Sequence, residues 1–330
     1  MKVEGFSYKK TCCRLCESKN IKRGLSLTPT PPGNNFLTKD NLNLVEETFP
    51  LELDFCNDCF HIQLGHVVDP EFLFQNDYSY VSSTSRVFVE HLKNYADSMI
   101  SLLKLNQGSL VIDIGSNDGT CLSFFQDKGM EVLGVDPAES IAQLANNNGI
   151  KTINNFFNEE IAQEIKENYS LPRLITSHNA CAHIDDLMSV INGVDNLMGE
   201  ETIFVMEVGY FVDVFQNKWF DTIYHEHVDF HTVAPLKKLF HSVGMEIFSI
   251  ERIEPQGGSI RVMVQRKHGT FQIDESVEDL ISLEASLGLN KVDTLHLFEQ
   301  EINTLRTKFK NMIKQLKEDG KSIAAFGAPT

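Results

Sequence analysis

From residue 85 onward, short apolar runs alternate with stretches whose apolar residues recur at helical spacing, and that alternation most narrows the possible folds. Residues 110–114, 131–135, 174–176 and 202–208 read as short buried strands. Residues 140–147 and 185–197 read as helices between them, and Phe88, Leu92, Tyr95, Met99, Leu102 and Leu103 mark an amphipathic helix ahead of the first strand. Strands separated by helices predict an α/β domain with a parallel sheet covered on both faces. Residues 246–253 and 259–265, joined only by 254–258, predict an antiparallel hairpin at the sheet edge.

A long helix is predicted next, because Leu295, Phe298, Ile302, Leu305, Phe309, Met312 and Leu316 recur at steps of three and four, with Gly320 to end it. Residues 322–328 then read as a strand entering a glycine turn, the opening of a further α/β unit of which the 330-residue chain carries only the start.

The first ~70 residues differ from this pattern. They hold few apolar runs, and a Pro-rich stretch, Thr28-Pro29-Thr30-Pro31-Pro32-Gly33, reads as a turn region. A segment so poor in core needs a staple. Five of the seven cysteines lie here, Cys12, Cys13, Cys16, Cys56 and Cys59, whereas Cys121 and Cys181 stand apart. Cys13-x-x-Cys16 and Cys56-x-x-Cys59 are two pairs of the spacing that places two thiolates on one ion, and together they close a tetrahedral site with no open position. A structural zinc ion is expected. Cys12 competes with Cys13, and the CxxC spacing favours Cys13. His61 is read as a solvated or hydrogen-bonded histidine rather than a substitute ligand.

The net charge of -17 argues against nucleic acid or an anionic membrane surface as a partner. No run reaches the ~18 apolar residues of a membrane-spanning helix, and residues 1–10 do not resemble a signal peptide. A cytoplasmic monomer is the expectation.

Two further segments carry chemistry. In Val111-Ile112-Asp113-Ile114-Gly115-Ser116-Asn117-Asp118-Gly119 a strand runs into a glycine turn, with a helix from about Thr120. The GxxxG spacing is not the GxGxxG of a dinucleotide site. The next strand ends in Asp136, at about the ~20-residue spacing from which an acid reaches a ribose hydroxyl, and Ser177-His178-Asn179 ends another strand at the same sheet edge. Asp221 to His231, with Tyr224, His225, Glu226, His227, Asp229 and His231, crowds titratable groups over that edge, as catalytic sites do. His225-x-His227 could hold a metal, although no third ligand is evident.

The glycine loop and the acid that follows it resemble those of class I S-adenosylmethionine methyltransferases. In order along the chain, the two CxxC pairs, IGSNDGT, VDPA, NACAH, YHEH, GGSIR and AAFGAPT are similar to the nucleotide-sugar C-3-methyltransferases that build branched deoxysugars. The resemblance covers essentially the whole chain. It implies a zinc-binding domain over 1–75, a Rossmann-like S-adenosylmethionine-dependent methyltransferase domain over 76–268, and over 269–330 a helical linker with the start of a second Rossmann-like domain. It also implies S-adenosylmethionine and structural zinc as cofactors and a nucleotide-linked 4-keto sugar as substrate. Carried over by position, Tyr224 and His227 are an acid-base pair, Glu226 orients them, and His183 and Tyr78 line the site. Gly115, Ser116, Asn117, Asp118, Gly119, Asp136 and Asn179 hold the cofactor, and Cys13, Cys16, Cys56 and Cys59 hold zinc. An O- or N-methyltransferase and a non-catalytic zinc-bearing binding protein are the competing readings.

Overall fold

The computed structural model describes residues 7–33, 39–43, 45–70, 73 and 80–324. Among the described residues, the N-terminal part is formed by β1 (Ser7–Lys9), β2 (Ile21–Thr30), β3 (Phe49–Cys56), β4 (Ile62–Leu64) and β5 (His66–Val68). The stretch expected as a Pro-rich turn is partly strand, since Thr28, Pro29 and Thr30 finish β2. β2 lies at the edge of its sheet, where a proline costs no ladder hydrogen bond.

The remaining elements are α1 (Arg86–Leu103), β6 (Leu110–Ile114), α2 (Thr120–Gln126), β7 (Glu131–Val135), α3 (Glu139–Asn147), β8 (Thr152–Ile153), α4 (Glu159–Asn168), β9 (Leu174–His178), α5 (Leu187–Leu197), β10 (Ile203–Gly209), α6 (Phe211–Asn217), β11 (Asp229–Phe230), α7 (Val233–Ser242), β12 (Met245–Ile253), β13 (Ser259–Arg266), α8 (Ser276–Ser286) and α9 (Val292–Glu318). Helix α1 starts because the Ser85 hydroxyl accepts from the Phe88 amide, and it stops at Lys104, which adopts a left-handed conformation. Its buried face is Phe88, Leu92, Tyr95, Met99 and Leu103, the predicted stripe less Leu102, which is 40% exposed.

The main sheet has seven strands in the order β12-β13-β10-β9-β6-β7-β8. β10, β9, β6, β7 and β8 are parallel, and β12–β13 is the expected antiparallel edge hairpin. Alternate residues look to opposite faces: Val111 and Val205 pack beneath α1, while Ile112 and Phe204 join the larger cluster on the other side. The chain departs from β6 in both directions across the sheet, so a crevice opens beyond the carboxyl ends of β6 and β9, where ligands of open α/β sheets sit.

The N-terminal part shares its core with the rest of the molecule. Leu53, Phe55, Ile62 and Leu64 belong to the same apolar cluster as Ile112, Ile175 and Phe204. β11, only two residues long, adds to β4 with Phe230 opposite Ile62, so the four-stranded sheet β11-β4-β3-β2 takes in the segment following Tyr224 to His227. Helix α9 also packs against β2, where Leu295 comes so close to Gly24 that a Cβ there would lie 2.4 Å from its Cδ1. Farther along α9 the apolar stripe is open to solvent, with Phe309 59% exposed. The strand expected over 322–328 does not begin in 322–324, which are irregular, and the rest of it lies outside the described residues.

Candidate active site

The two CxxC turns converge. Cys13 Sγ lies 3.4 Å from Cys59 Sγ and Cys16 Sγ lies 3.6 Å from Cys56 Sγ, and all four sulfurs fall within 4.8 Å of one another. A tetrahedral ion with bonds of about 2.3 Å has sulfur–sulfur edges of about 3.8 Å, so the donor set and its size suit zinc. Cys12 stands outside the cluster. His61 is buried rather than solvated, and its Nε2 is 2.6 Å from Asp229 Oδ1.

A cavity of about 880 Å³ occupies the crevice at the ends of β6, β7, β9 and β10. Gly115, Ser116, Asn117, Asp136 and Asn179 line it. Gly115, Asn117 and Asn179 have φ of +73°, +50° and +59°, conformations that glycine and asparagine tolerate best. Asp136 braces the loop with both oxygens, accepting from the amides of Asn117 at 2.8 Å and Ala138 at 2.9 Å.

Asp118 and Gly119 stand behind this wall instead of on it. Asp118 accepts from the Ser83 amide at 3.2 Å and the Thr120 hydroxyl at 2.7 Å, and Gly119 precedes α2 so close to Ile150 that a Cβ would lie 2.8 Å away. They shape the turn, with the Asp118 carboxylate engaged by Ser83 and Thr120.

Asp113 lies deeper, buried at the end of β6 and lining the same cavity. Burial pushes its carboxyl up to about 7, and its Oδ1 and the Ser116 hydroxyl have no hydrogen-bond partner among the described residues. Among the described residues the lining includes carboxylates such as Asp69, Asp136, Asp185, Asp186, Asp221 and Glu226, but neither lysine nor arginine. Such a wall suits a positively charged ligand.

Tyr224, Glu226, His227 and His183 line the same cavity. The His227 Nδ1 donates to the Thr222 carbonyl at 2.8 Å, and its Nε2 is 3.5 Å from the Tyr224 hydroxyl. The ring centroids of Tyr224 and His227 are 4.4 Å apart, and His183 meets His227 edge-on at 4.9 Å. Burial lowers the His227 imidazole below its usual value. Burial, and then the nearness of a second titratable imidazole in His227, push His183 down to about 3. Burial, followed by the Glu226 carboxylate, raises the Tyr224 phenol.

The three histidines expected as a cluster separate. The Tyr224–His227 turn sends His225 away from the cavity, where its Nε2 is 3.2 Å from the Phe49 carbonyl. His231 is fully buried, with its ring 5.9 Å from that of His61. His225 and His227 therefore do not form a metal pair. Tyr78 lies outside the described residues.

One buried network was missed in the sequence. Glu207 on β10 receives His91 Nε2 at 2.7 Å, His178 Nδ1 at 3.0 Å and Arg261 Nε at 2.7 Å. His178 lines the cavity. Against the burial penalty, Cys121 and Glu207 raise His178 well above the usual imidazole value, and His178, His91 and Arg261 lower Glu207 well below the usual carboxylate range. The signal was available: one acid in the apolar run of β10 and one base in that of β13, which face each other across the antiparallel register.

Family models match in three places: a zinc binding domain over residues 13–74, a methyltransferase domain over 88–250 and a C-methyltransferase C-terminal domain over 254–330. The chain is 32% identical over 318 residues to the C-methyltransferase NovU of Streptomyces niveus, spanning 96% of this chain and 76% of that protein. Similar solved structures include magnesium protoporphyrin IX methyltransferase of Synechocystis PCC 6803 with bound S-adenosylmethionine (15% identity, 55% of this chain and 82% of that one, TM-score 0.41). A protein of Pyrococcus horikoshii OT3 is also similar (13% identity, 57% and 95%, TM-score 0.45). With its four-cysteine cluster in a zinc-binding domain, its methyltransferase domain and its C-methyltransferase C-terminal domain, the chain belongs to the family of S-adenosylmethionine-dependent C-methyltransferases.

Proposed function

We propose that the protein methylates C3 of a nucleotide-linked 4-keto-deoxysugar through an enolate, with His227 as the base and Tyr224 as the donor to the developing oxyanion. S-adenosylmethionine, when bound, supplies a methyl group already made electrophilic by its positive sulfur. The chain must add a carbon nucleophile, and a ketone acidifies the neighbouring C–H enough for a side-chain base to remove the proton. The observation that carries the reading is the pairing of His227 with Tyr224. Because Nδ1 gives its proton to the Thr222 carbonyl, Nε2 presents a lone pair beside a phenol in the cavity.

Burial keeps the imidazole neutral and ready to accept a proton, while burial and Glu226 keep the phenol protonated. A positioned base contributes about 10²–10⁴-fold. A well-placed oxyanion donor is worth ~2.7–4 kcal/mol. Glu226 is assigned to orient the pair and His183 to wall the sugar. Tyr78, outside the described residues, is assigned to the same wall. Gly115, Ser116, Asn117, Asp136 and Asn179 are assigned to hold the cofactor, with Asp118 and Gly119 supporting the loop. The partition into a zinc-binding domain over 1–75, a methyltransferase domain over 76–268 and a linker with the start of a further domain over 269–330 belongs to this reading, with β11 tying the first two together.

The test is NMR of the product formed from isotopically methyl-labelled S-adenosylmethionine and a panel of nucleotide-linked 4-keto sugars. A labelled methyl on C3 is expected. A methyl on oxygen or nitrogen, or wild-type turnover by both His227→Asn and Tyr224→Phe, contradicts the proposal.

A further inference from the structure

We propose that Arg14, the residue that follows Cys13 in the first metal-binding turn, is a positioning residue for methyl transfer. It holds Asp185 and Asp229, and through them it sets His183 and His227 against each other. The inference rests on the roles given above to those two histidines and adds what fixes them.

The geometry starts at the cysteines. In Cys13-Arg14-Leu15-Cys16, Arg14 and Leu15 are the spacers between two thiolates. The Arg14 amide donates to Gln63 Oε1 at 2.8 Å, and Gln63 Nε2 donates to the Cys12 carbonyl at 2.9 Å, so one side chain of β4 clasps the turn on both sides of Cys13. From that fixed start the Arg14 side chain runs inward, fully buried. Its Nη1 donates to the Leu64 carbonyl at 2.8 Å and its Nε to Asp185 Oδ1 at 2.8 Å, and the same Nε lies 3.9 Å from Asp229 Oδ1. Zinc, when bound, fixes the turn from which the arginine departs, and no thiolate has to reach the cavity.

The two carboxylates it meets stand in matching places. Asp185 is two residues beyond His183, and Asp229 is two residues beyond His227. His183 ends a single 3-10 turn and His227 leaves a bend, so no helix or sheet ladder fixes either imidazole. The Val228 amide donates to the Ala182 carbonyl at 2.9 Å, which lays the two segments side by side, and the rings meet edge-on at 4.9 Å. Among the described residues Arg14 alone forms ion pairs with both carboxylates: Lys10 reaches only Asp185, and His61 meets only Asp229. Two carboxylates facing one buried nitrogen repel each other once that charge is gone. The segments that carry them would then part, and the histidines with them. The planar guanidinium also gives direction, since one fork serves the Leu64 carbonyl and Asp185 together; a lysine ammonium keeps the charge without the fork.

The experiment compares the zinc-loaded protein with Arg14→Met and Arg14→Lys. Zinc content and S-adenosylmethionine affinity report that each variant is loaded and folded. Placement is read without any acceptor, by NMR of histidine-labelled protein, with the ring signals of His183 and His227 assigned by their loss in His183→Gln and His227→Asn. Wild type is expected to show a nuclear Overhauser contact between the two rings. Arg14→Met should lose that contact and shift both sets of signals, with those of His91 and His178 unmoved. It should lower kcat by about 10²-fold, as for a reacting group displaced by about an ångström, with KM little changed. Arg14→Lys should fall between it and wild type in both readouts. Loaded Arg14→Met with undisturbed rings overturns the inference, as does one with displaced rings and unchanged kcat. Where Arg14→Met fails to load zinc, Arg14→Lys decides by the same criteria. Rings displaced by the substitution, in a protein whose wild type methylates no nucleotide-linked 4-keto sugar, overturn the reaction and leave the placement by Arg14 standing.

Discussion

His61 and Asp229, 168 residues apart, share a fully buried hydrogen bond of 2.6 Å between the zinc-bearing sheet and the segment just beyond the Tyr224–His227 turn. Asp229 also lines the large cavity, and beside it Arg14 reaches from its place next to Cys13 to within 3.9 Å of the same carboxylate. The metal site is therefore mechanically continuous with the Tyr224–His227 segment, although none of its four cysteines is among the described residues that line the cavity.

Removal of zinc should accordingly do more than loosen the N-terminus. Structural zinc contributes roughly 10–16 kcal/mol to the folding of zinc-finger peptides. Cys59→Ser, or chelation, should lower the midpoint of thermal unfolding and abolish methyl transfer together. Circular dichroism melting beside a turnover assay checks this. Zinc-free protein with unchanged turnover would break the link between the two sites.

The acid-base pair gives a graded expectation. His227→Asn should lower kcat by about 10²–10⁴-fold, as for loss of a positioned base. Tyr224→Phe should cost ~2.7–4 kcal/mol of transition-state stabilisation, as for one oxyanion donor. Affinity for S-adenosylmethionine should change little in either, because neither side chain belongs to the glycine loop. Single-turnover kinetics and calorimetry separate the two quantities.

The buried imidazoles set the acid side of stability. His183 is pushed down to about 3 and His231 to about 4, each chiefly by burial, whereas an unfolded histidine titrates near 6.5. Below about pH 6.5 the unfolded chain binds protons that the folded chain refuses. Their stabilisation is complete above that pH and falls as pH drops towards about 4 and then 3, by ~1.4 kcal/mol per histidine per unit. Urea unfolding at pH 7 and pH 5 measures the slope, and replacing His231 with glutamine should reduce it.

The Glu207 network is a further stability element. Glu207→Gln leaves the Arg261 charge and the proton-bearing His178 without their buried counter-charge, at an expected cost of about 3–5 kcal/mol. Because His178 lines the cavity, binding of S-adenosylmethionine should weaken as well. Denaturant midpoints and calorimetry test the two effects separately.

Periodicity revealed the parallel strands, their helices and the edge hairpin because each is local: continuous burial writes an apolar run, and a helix face writes a three-to-four step. The metal site was equally legible, since two thiolates three residues apart already imply one ion. What could not be read were pairings that depend on distant partners. β11 has only two residues, and nothing in Asp229-Phe230 announces that Gln63 and Ile62 will lie opposite. The histidines from His225 to His231 looked like one cluster because they are close in sequence. A turn at Tyr224–His227 and burial beside His61 disperse them, leaving His227 to meet His183 from another loop. Asp118 and Gly119 belong to the glycine loop by sequence, yet they face the 81–84 turn and Ile150 because the start of α2 turns them inward.

The central claim, that His227 removes a proton from the carbon to be methylated, is tested most directly by deuterium exchange. A nucleotide-linked 4-keto sugar is incubated in D₂O with the protein and S-adenosylhomocysteine, which has no methyl group to give, and exchange at C3 is followed by proton NMR. Loss of the C3 signal with wild type and its persistence with His227→Asn is the expected result. Equal exchange by the two proteins contradicts the role given to His227.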